Sequence, residues 1–162
     1  MSKTHELDKT KYGPSLAKGL MAGLIGGLVA TAAKKFAERI YPPRAHGEPE
    51  PQQALAERVA GHELVGRREE FSAGVIYWGF GALTGAAYGA VVEYYPAATA
   101  KDGAAFGMTL SSLTHGTVLP AIGLAAKPEE QTVRERSSEM VTHVVYGVVT
   151  ETTRRVVRKM LG

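Results

Sequence analysis

Two long stretches free of Asp, Glu, Lys and Arg, residues 71–92 and 103–126, constrain this chain more than any other feature of its 162 residues. At about 1.5 Å of helical rise per residue, each exceeds the roughly 20 apolar residues needed to cross about 30 Å of hydrocarbon. A short polar turn carrying Pro96, Lys101 and Asp102 joins them. The pair reads as a helical hairpin built for a membrane.

A third uncharged stretch, 19–33, spans roughly 22 Å as a helix, and Lys18 and Lys34 at its ends can lengthen the crossing by snorkelling. Its basic lead-in (Lys3, Lys9, Lys11) and Ala30-Thr31-Ala32 imitate a cleavable leader, but the expectation is a retained helix. Pro42 and Pro43 stop it. The polar excursion 41–70 that follows contains a candidate amphipathic surface helix over 53–68, with Leu55, Val59 and Leu64 on one side. His62-Glu63 lacks the second histidine of a zinc-protease helix and is given no catalytic weight.

The last segment has a different pattern. Glu139, His143, Tyr146, Thr150 and Arg154 fall in one stripe at 100° per residue, while Val141, Val144, Val145 and Val148 occupy the other side. Only 140–150 is uncharged, about half a bilayer. This helix either crosses with its polar stripe turned inward or lies along the interface. The expected fold is therefore all-α, a polytopic membrane helical bundle of three to four transmembrane helices. One domain, 1–162, holds helices at about 14–40, 71–95, 103–126 and 137–160.

The mean hydropathy of −0.09 conceals this because the charges are segregated and the apolar runs are rich in Gly, Ala, Ser and Thr. Such helices suit contact with one another better than contact with lipid. Gly19, Gly23 and Gly27 recur every fourth residue, as do Gly81, Gly85 and Gly89, with Gly74 one heptad earlier. Two ladders of small residues predict two helices packed backbone to backbone. The net charge of +3 suits an anionic lipid surface, and no basic run is interleaved with aromatics, so nucleic acid is not an expected partner. The chain has no cysteine, which removes disulfides, thiolate metal sites and thiol nucleophiles together. Lys and Arg divide almost evenly between the two sides of a four-crossing topology, so charge does not orient it.

Chemistry concentrates in the last two helices. Gly107, Ser111 and His115 make a small polar stripe ending in an ionisable residue near mid-membrane, with Pro120 able to kink the helix beyond it. A histidine at that depth must be neutral or paired. Glu93, His115, Glu139, His143 and Glu151 are the candidates for proton or ion handling, or for holding a cofactor. Arg154, Arg155, Arg158 and Lys159 are expected among lipid headgroups.

The strings KKFAERIYPPR, YGAVVEYYP, THGTVLPAIGL and SEMVTHVVYGVVTETTRR, in this order from about Lys18 to Arg158, resemble the YagU-like family of small bacterial inner-membrane proteins, whose domain is of unknown function. The family pattern falls on Lys34, Glu38, Pro42, Pro43 and Arg44, then on Tyr88, Gly89, Glu93 and Pro96. It continues on His115, Pro120, Gly123 and Leu124, and on Glu139, His143, Glu151, Arg154 and Arg155. The excursion after Arg44 is shorter than the family's. The resemblance implies a bacterial inner membrane, a link to acid resistance and no established reaction.

The expected function is a small integral inner-membrane protein without enzymatic activity, structural or accessory in role and linked to acid or membrane stress. Its partners would be the lipid bilayer and a second copy or a larger membrane complex. One alternative is a proton-conducting or pH-sensing bundle using His115, His143 and nearby glutamates. Another is haem or a metal held by His115 and His143, although the spacing is not the Glu-x-x-His of di-iron bundles. Soluble enzyme classes lack support: there is no nucleophile elbow, phosphate loop or nucleotide fingerprint.

Overall fold

Antiparallel packing of long helices follows from where the chain reverses. A computed structural model describes residues 13–43 and 50–162. Helix α1 (Leu16–Ile40) starts at Ser15, whose hydroxyl accepts the Lys18 N–H, and stops before Pro42 and Pro43. A short α2 (Pro51–Ala60) opens with a proline and a Glu50/Gln53 capping box, and ends at Gly61 in the left-handed region (φ 74°). Helix α3 (Arg67–Tyr94) then returns, with Glu69 and Glu70 complementing its N-terminal dipole.

The reversal after α3 is tight. Within Pro96–Gly103, Lys101, Asp102 and Gly103 have φ of 53°, 54° and 88°. Three successive left-handed residues turn the chain back at once. The third arm is α4 (Ala104–Leu113), a π-helical turn (Thr114–Val118) and a last turn, α5 (Leu119–Ala121). Its final helix, α6 (Val133–Met160), starts from a reciprocal Thr132/Glu135 capping box. No strand occurs among the described residues.

Hydrogen bonds between helix ends fix the directions. At one end the Ser15 N–H donates to Glu93 (2.9 Å), and Arg158 pairs with the same carboxylate (2.5 Å). At the other, the Tyr41 and Ser137 hydroxyls share a hydrogen bond (2.9 Å), and the Ser138 hydroxyl donates to the Tyr41 carbonyl. The four arms thus run up, down, up and down. Helix α1 lies against both α3 and α6, α4 packs on α6, and α2 rests on α3.

The glycine ladders of α1 and α3 face each other. A methyl group at Gly23 would lie 2.8 Å from the Gly89 Cα, and one at Gly27 would lie 3.0 Å from the Gly85 Cα. Only hydrogen fits at these crossings. Gly74 is different: nothing approaches within 4 Å of a methyl placed there. Above Gly81 the α1 face changes from glycine to Thr31, Lys34 and Glu38, and these larger side chains end the close approach. A second crossing sets Gly107 and Gly103 against the α6 backbone at His143 and Gly147.

Polar and small side chains fill the interior while large apolar ones lie outside. The largest side chains with almost no exposure are Glu151, Thr142, Thr150 and Ser138. Met21, Leu24 and Val29 of α1, Leu83 and Val91 of α3, Met108 and Leu113 of α4, and Val141 and Val156 of α6 are exposed. Both α1 and α3 are long and apolar enough to cross a membrane.

Several boundaries differ from expectation for local reasons. The expected surface helix 53–68 is split by Gly61 and Gly66, both at positive φ, so Arg67 and Arg68 begin α3 instead. The third arm ends at Ala121 rather than 126, because Pro120 offers no N–H and Gly123 (φ 71°) turns the chain away. The basic lead-in and Arg44 lie outside the described residues.

Candidate functional site

The inward stripe of α6 carries two polar centres, one in each half of the bundle. The lower centre is built on Glu151, fully buried. Its carboxylate accepts from Arg154 Nε (2.7 Å) and NH2 (2.9 Å), from Arg155 Nε (2.5 Å) and from the Tyr88 hydroxyl (3.0 Å). Arg155 also reaches Asp102 in the left-handed turn (2.9 Å), tying that reversal to α6. One turn below, Arg158 grips Glu93. Each of these three carboxylates is engaged by at least one arginine, and both oxygens of Glu151 and of Glu93 have partners, so this half is an ion-pair lattice.

The upper centre is open. Glu139 and His143 stand one turn apart on α6, and His115 approaches from the π turn, where the Leu119 N–H bonds the Thr114 carbonyl five residues back. Such widened turns interrupt the helical ladder and are frequent at functional sites. The imidazole rings of His115 and His143 meet edge to face, centroids 5.0 Å apart and planes at 70°. His143 Nδ1 lies 2.7 Å from the Glu139 carbonyl, an acceptor, so this nitrogen carries the proton and Nε2 is left as the acceptor. His115 Nδ1 lies 3.1 Å from Glu139 Oε1 without hydrogen-bond alignment, and is a buried nitrogen with no hydrogen-bond partner among the described residues.

This cluster forms one wall of a cavity of about 590 Å³ between α1, α3, the third arm and α6, with Pro51 and Gln52 of α2 at its edge. The opposite wall carries Lys34, ion-paired with Glu38, whose other oxygen accepts the Tyr77 hydroxyl (2.7 Å). The Lys34 ammonium lies 5.4 Å from the Tyr77 ring centroid, within cation–π range. The floor is Tyr146, whose hydroxyl donates to the Gly81 carbonyl (2.6 Å) and meets the Thr84 hydroxyl (2.8 Å). Tyr146→Phe is expected to cost about 1 kcal/mol, because the Gly81 carbonyl already serves its helix and loses only an added donor. Denaturant titration in micelles measures it.

The five titratable candidates therefore separate. His115, Glu139 and His143 come together, whereas Glu151 sits eight residues below His143, about 12 Å along the helix, and Glu93 lies at the bundle's end. Arg154 is buried and Arg154, Arg155 and Arg158 are all engaged by carboxylates of the chain, while Lys159 is exposed. Reading residues singly misses that Lys34, Glu38 and Tyr77 belong to the cavity and Tyr88 to the lower centre. The four-residue step from Lys34 to Glu38 was the available signal.

For haem, the geometry is unfavourable. An iron held between two imidazoles needs them on opposite sides of a planar ring, and these two touch. No group of three His, Cys, Asp or Glu placed to hold a metal occurs among the described residues.

Comparison with curated proteins and with solved structures finds no match. A family model described as a protein of unknown function, DUF1440, matches residues 28–152. That interval contains the whole upper centre, Glu151, Tyr88 and the α3 glycines Gly81, Gly85 and Gly89, and begins just after Gly27 of the facing α1 ladder. The chain belongs to the DUF1440 family, a family without a characterised function.

Proposed function

We propose that this chain is a small multi-pass protein of the bacterial inner membrane, structural or accessory rather than enzymatic, whose His115–Glu139–His143 centre responds to acid. The inverted composition supports the membrane: a bundle with Glu151, Thr142 and Thr150 inside and Leu83, Leu113 and Met21 outside buries little apolar surface on folding in water. In lipid, the same arrangement turns the exposed apolar side chains of α1, α3 and the third arm toward hydrocarbon. The third arm, uncharged from 104 to 121, and α6, with its stripe turned inward, complete four crossings. Retention in the membrane after alkaline carbonate extraction is the first expected result.

One observation carries the acid response: a buried His115 nitrogen without a hydrogen bond, facing a carboxylate, with a second imidazole against it. Histidine gains its proton between pH 5 and 8. A proton on His115 converts the misaligned contact into a charge-assisted hydrogen bond to Glu139 and draws the π turn toward α6. The arginine and tyrosine donors that engage both oxygens of Glu151 favour sensing over conduction, since they leave that carboxylate no free site for a proton. The YagU-like resemblance, with its link to acid resistance, agrees.

Because the chain has no cysteine, Leu113→Cys provides a single thiol for a spin label at the exposed foot of the π turn. Its spectrum is expected to change between about pH 7.5 and pH 5.5. The change should vanish when His115→Gln and His143→Gln are combined. A spectrum invariant with pH in the otherwise unaltered chain would overturn the reading, and proton flux across liposomes containing it would replace sensing by conduction.

A further inference from the structure

We infer that the cavity between α1, α3, the third arm and α6 binds a lipophilic monocation, an amine or onium with an aromatic or alkyl body, held against the Glu139 carboxylate. The inference rests on the proposed role of the same centre but adds a ligand to it. A volume of about 590 Å³ lies within the usual range of small-molecule sites. Its walls are apolar and aromatic, with Ile76, Phe80, Leu110 and Leu119 beside Tyr77 and Tyr146.

Charge selects the class. Lys34, the one Lys or Arg lining the cavity among the described residues, is taken by Glu38. Glu139 is buried, and no Lys or Arg nitrogen of the described residues lies within 4.0 Å of its carboxylate; its ion-pair contact is the His115 ring. A carboxylate in an apolar cavity without a fixed counter-charge is costly, and either a proton or a ligand cation relieves it. Glu50 at the rim adds a second acid, so an anion meets a net negative wall. Aromatic faces hold onium groups without stripping water from a hard ion, which favours an organic cation over a metal.

Proton and ligand then compete for one carboxylate. The groups facing it are His115 from the π turn, His143 and Tyr146 from α6, Lys34 and Glu38 from α1, Tyr77 from α3 and Glu50 before α2. Of these, His115 is the group in ion-pair contact with Glu139, so a proton held by the pair offsets the charge that would hold the ligand. Binding is strongest when that pair holds no proton.

The test is calorimetric titration of the full chain in micelles with tetraphenylphosphonium, and with tetraphenylborate, of like shape and opposite charge. Saturable binding of the cation, at least about tenfold tighter than the anion, is expected, weakening about tenfold between about pH 7.5 and pH 5.5. Glu139→Gln should abolish the preference and Glu139→Asp should restore it. Should Glu139→Gln fail to fold, the cation-to-anion ratio and its pH dependence in the unaltered chain decide the matter. Equal uptake of both ions, or a preference that survives Glu139→Gln, would overturn the inference. Absent binding with an intact spin-label response rejects the ligand alone, and binding without that response rejects the acid sensor alone.

Discussion

Glu151→Ala is expected to destabilise the folded chain by about 3–5 kcal/mol, the usual consequence of stranding one member of a buried ion pair. Arg154 is nearly as buried as Glu151, and its Nε and NH2 both donate to the carboxylate that would be lost. Tyr88, meanwhile, loses the acceptor of its hydroxyl. Arg154→Met should be similarly harmful, leaving Arg155 as the one cationic partner of the buried acid. The double variant, Glu151→Leu with Arg154→Met, should recover most of the loss, because replacing both members with apolar groups removes the desolvation cost as well as the attraction. Unfolding in a denaturing detergent, monitored by circular dichroism, gives the three numbers. A double variant no better than either single one would mean that the remaining contacts of Arg155 and Tyr88 with this centre, rather than the pair, carry the effect.

Adding one methyl group has opposite consequences at two positions of the same kind. Gly23→Ala is expected to cost about 1–3 kcal/mol, since the new carbon would sit 2.8 Å from the Gly89 Cα and 2.9 Å from its nitrogen, and backbone cannot rotate away as a side chain can. Gly74→Ala and Gly79→Ala meet open space and should be neutral or stabilising by up to about 1 kcal/mol through helix propensity. Gly85→Val would be worse than Gly23→Ala, because the facing Gly27 Cα lies only 2.5 Å from even its first carbon. Thermal unfolding in micelles ranks the four variants. Equal behaviour of Gly23→Ala and Gly74→Ala would show that the crossing adjusts freely.

The parts of the fold that could be read from sequence are those set by one residue at a time or by a fixed step. Uncharged length marks α1 and α3, and the period of α6 separates its polar stripe from its valines. Boundaries were poorer where charged residues are helical. Charge alone puts Arg67 to Glu70 in the excursion, yet they form the first turn of α3, where their acids favour the dipole. Thr132 and Glu135 together start α6 earlier than its hydropathy does.

The site was legible only in fragments. His115 and His143 stand out as lone ionisable residues in apolar runs, but the widened turn that lets one reach the other depends on tertiary contacts and leaves no period in the sequence. The destinations of the arginines were hidden for a related reason. A cluster such as Arg154, Arg155 and Arg158 at a helix end has the same composition whether or not carboxylates of the chain lie within its reach. Only the distance in space between Glu93 and Arg158, 65 residues apart, distinguishes them.

The inverted interior also bears on how the chain is made. Helix α6 carries Glu139, Glu151 and Arg154 in its middle turns, and each charge costs roughly 2.5–3.5 kcal/mol on entering a bilayer alone. It follows α1 and α3 in chain order, and the glycine contact of that earlier pair involves no residue of α6. The earlier pair supplies Tyr88 for Glu151 and Glu93 for Arg158, so under the proposed membrane placement these groups of α6 would enter a prepared seam rather than lipid. Under the proposed four-crossing placement, chain order would do the work of an insertion chaperone: a circular permutant that began with α6 would present its charges to the translocation channel with nothing yet to receive them.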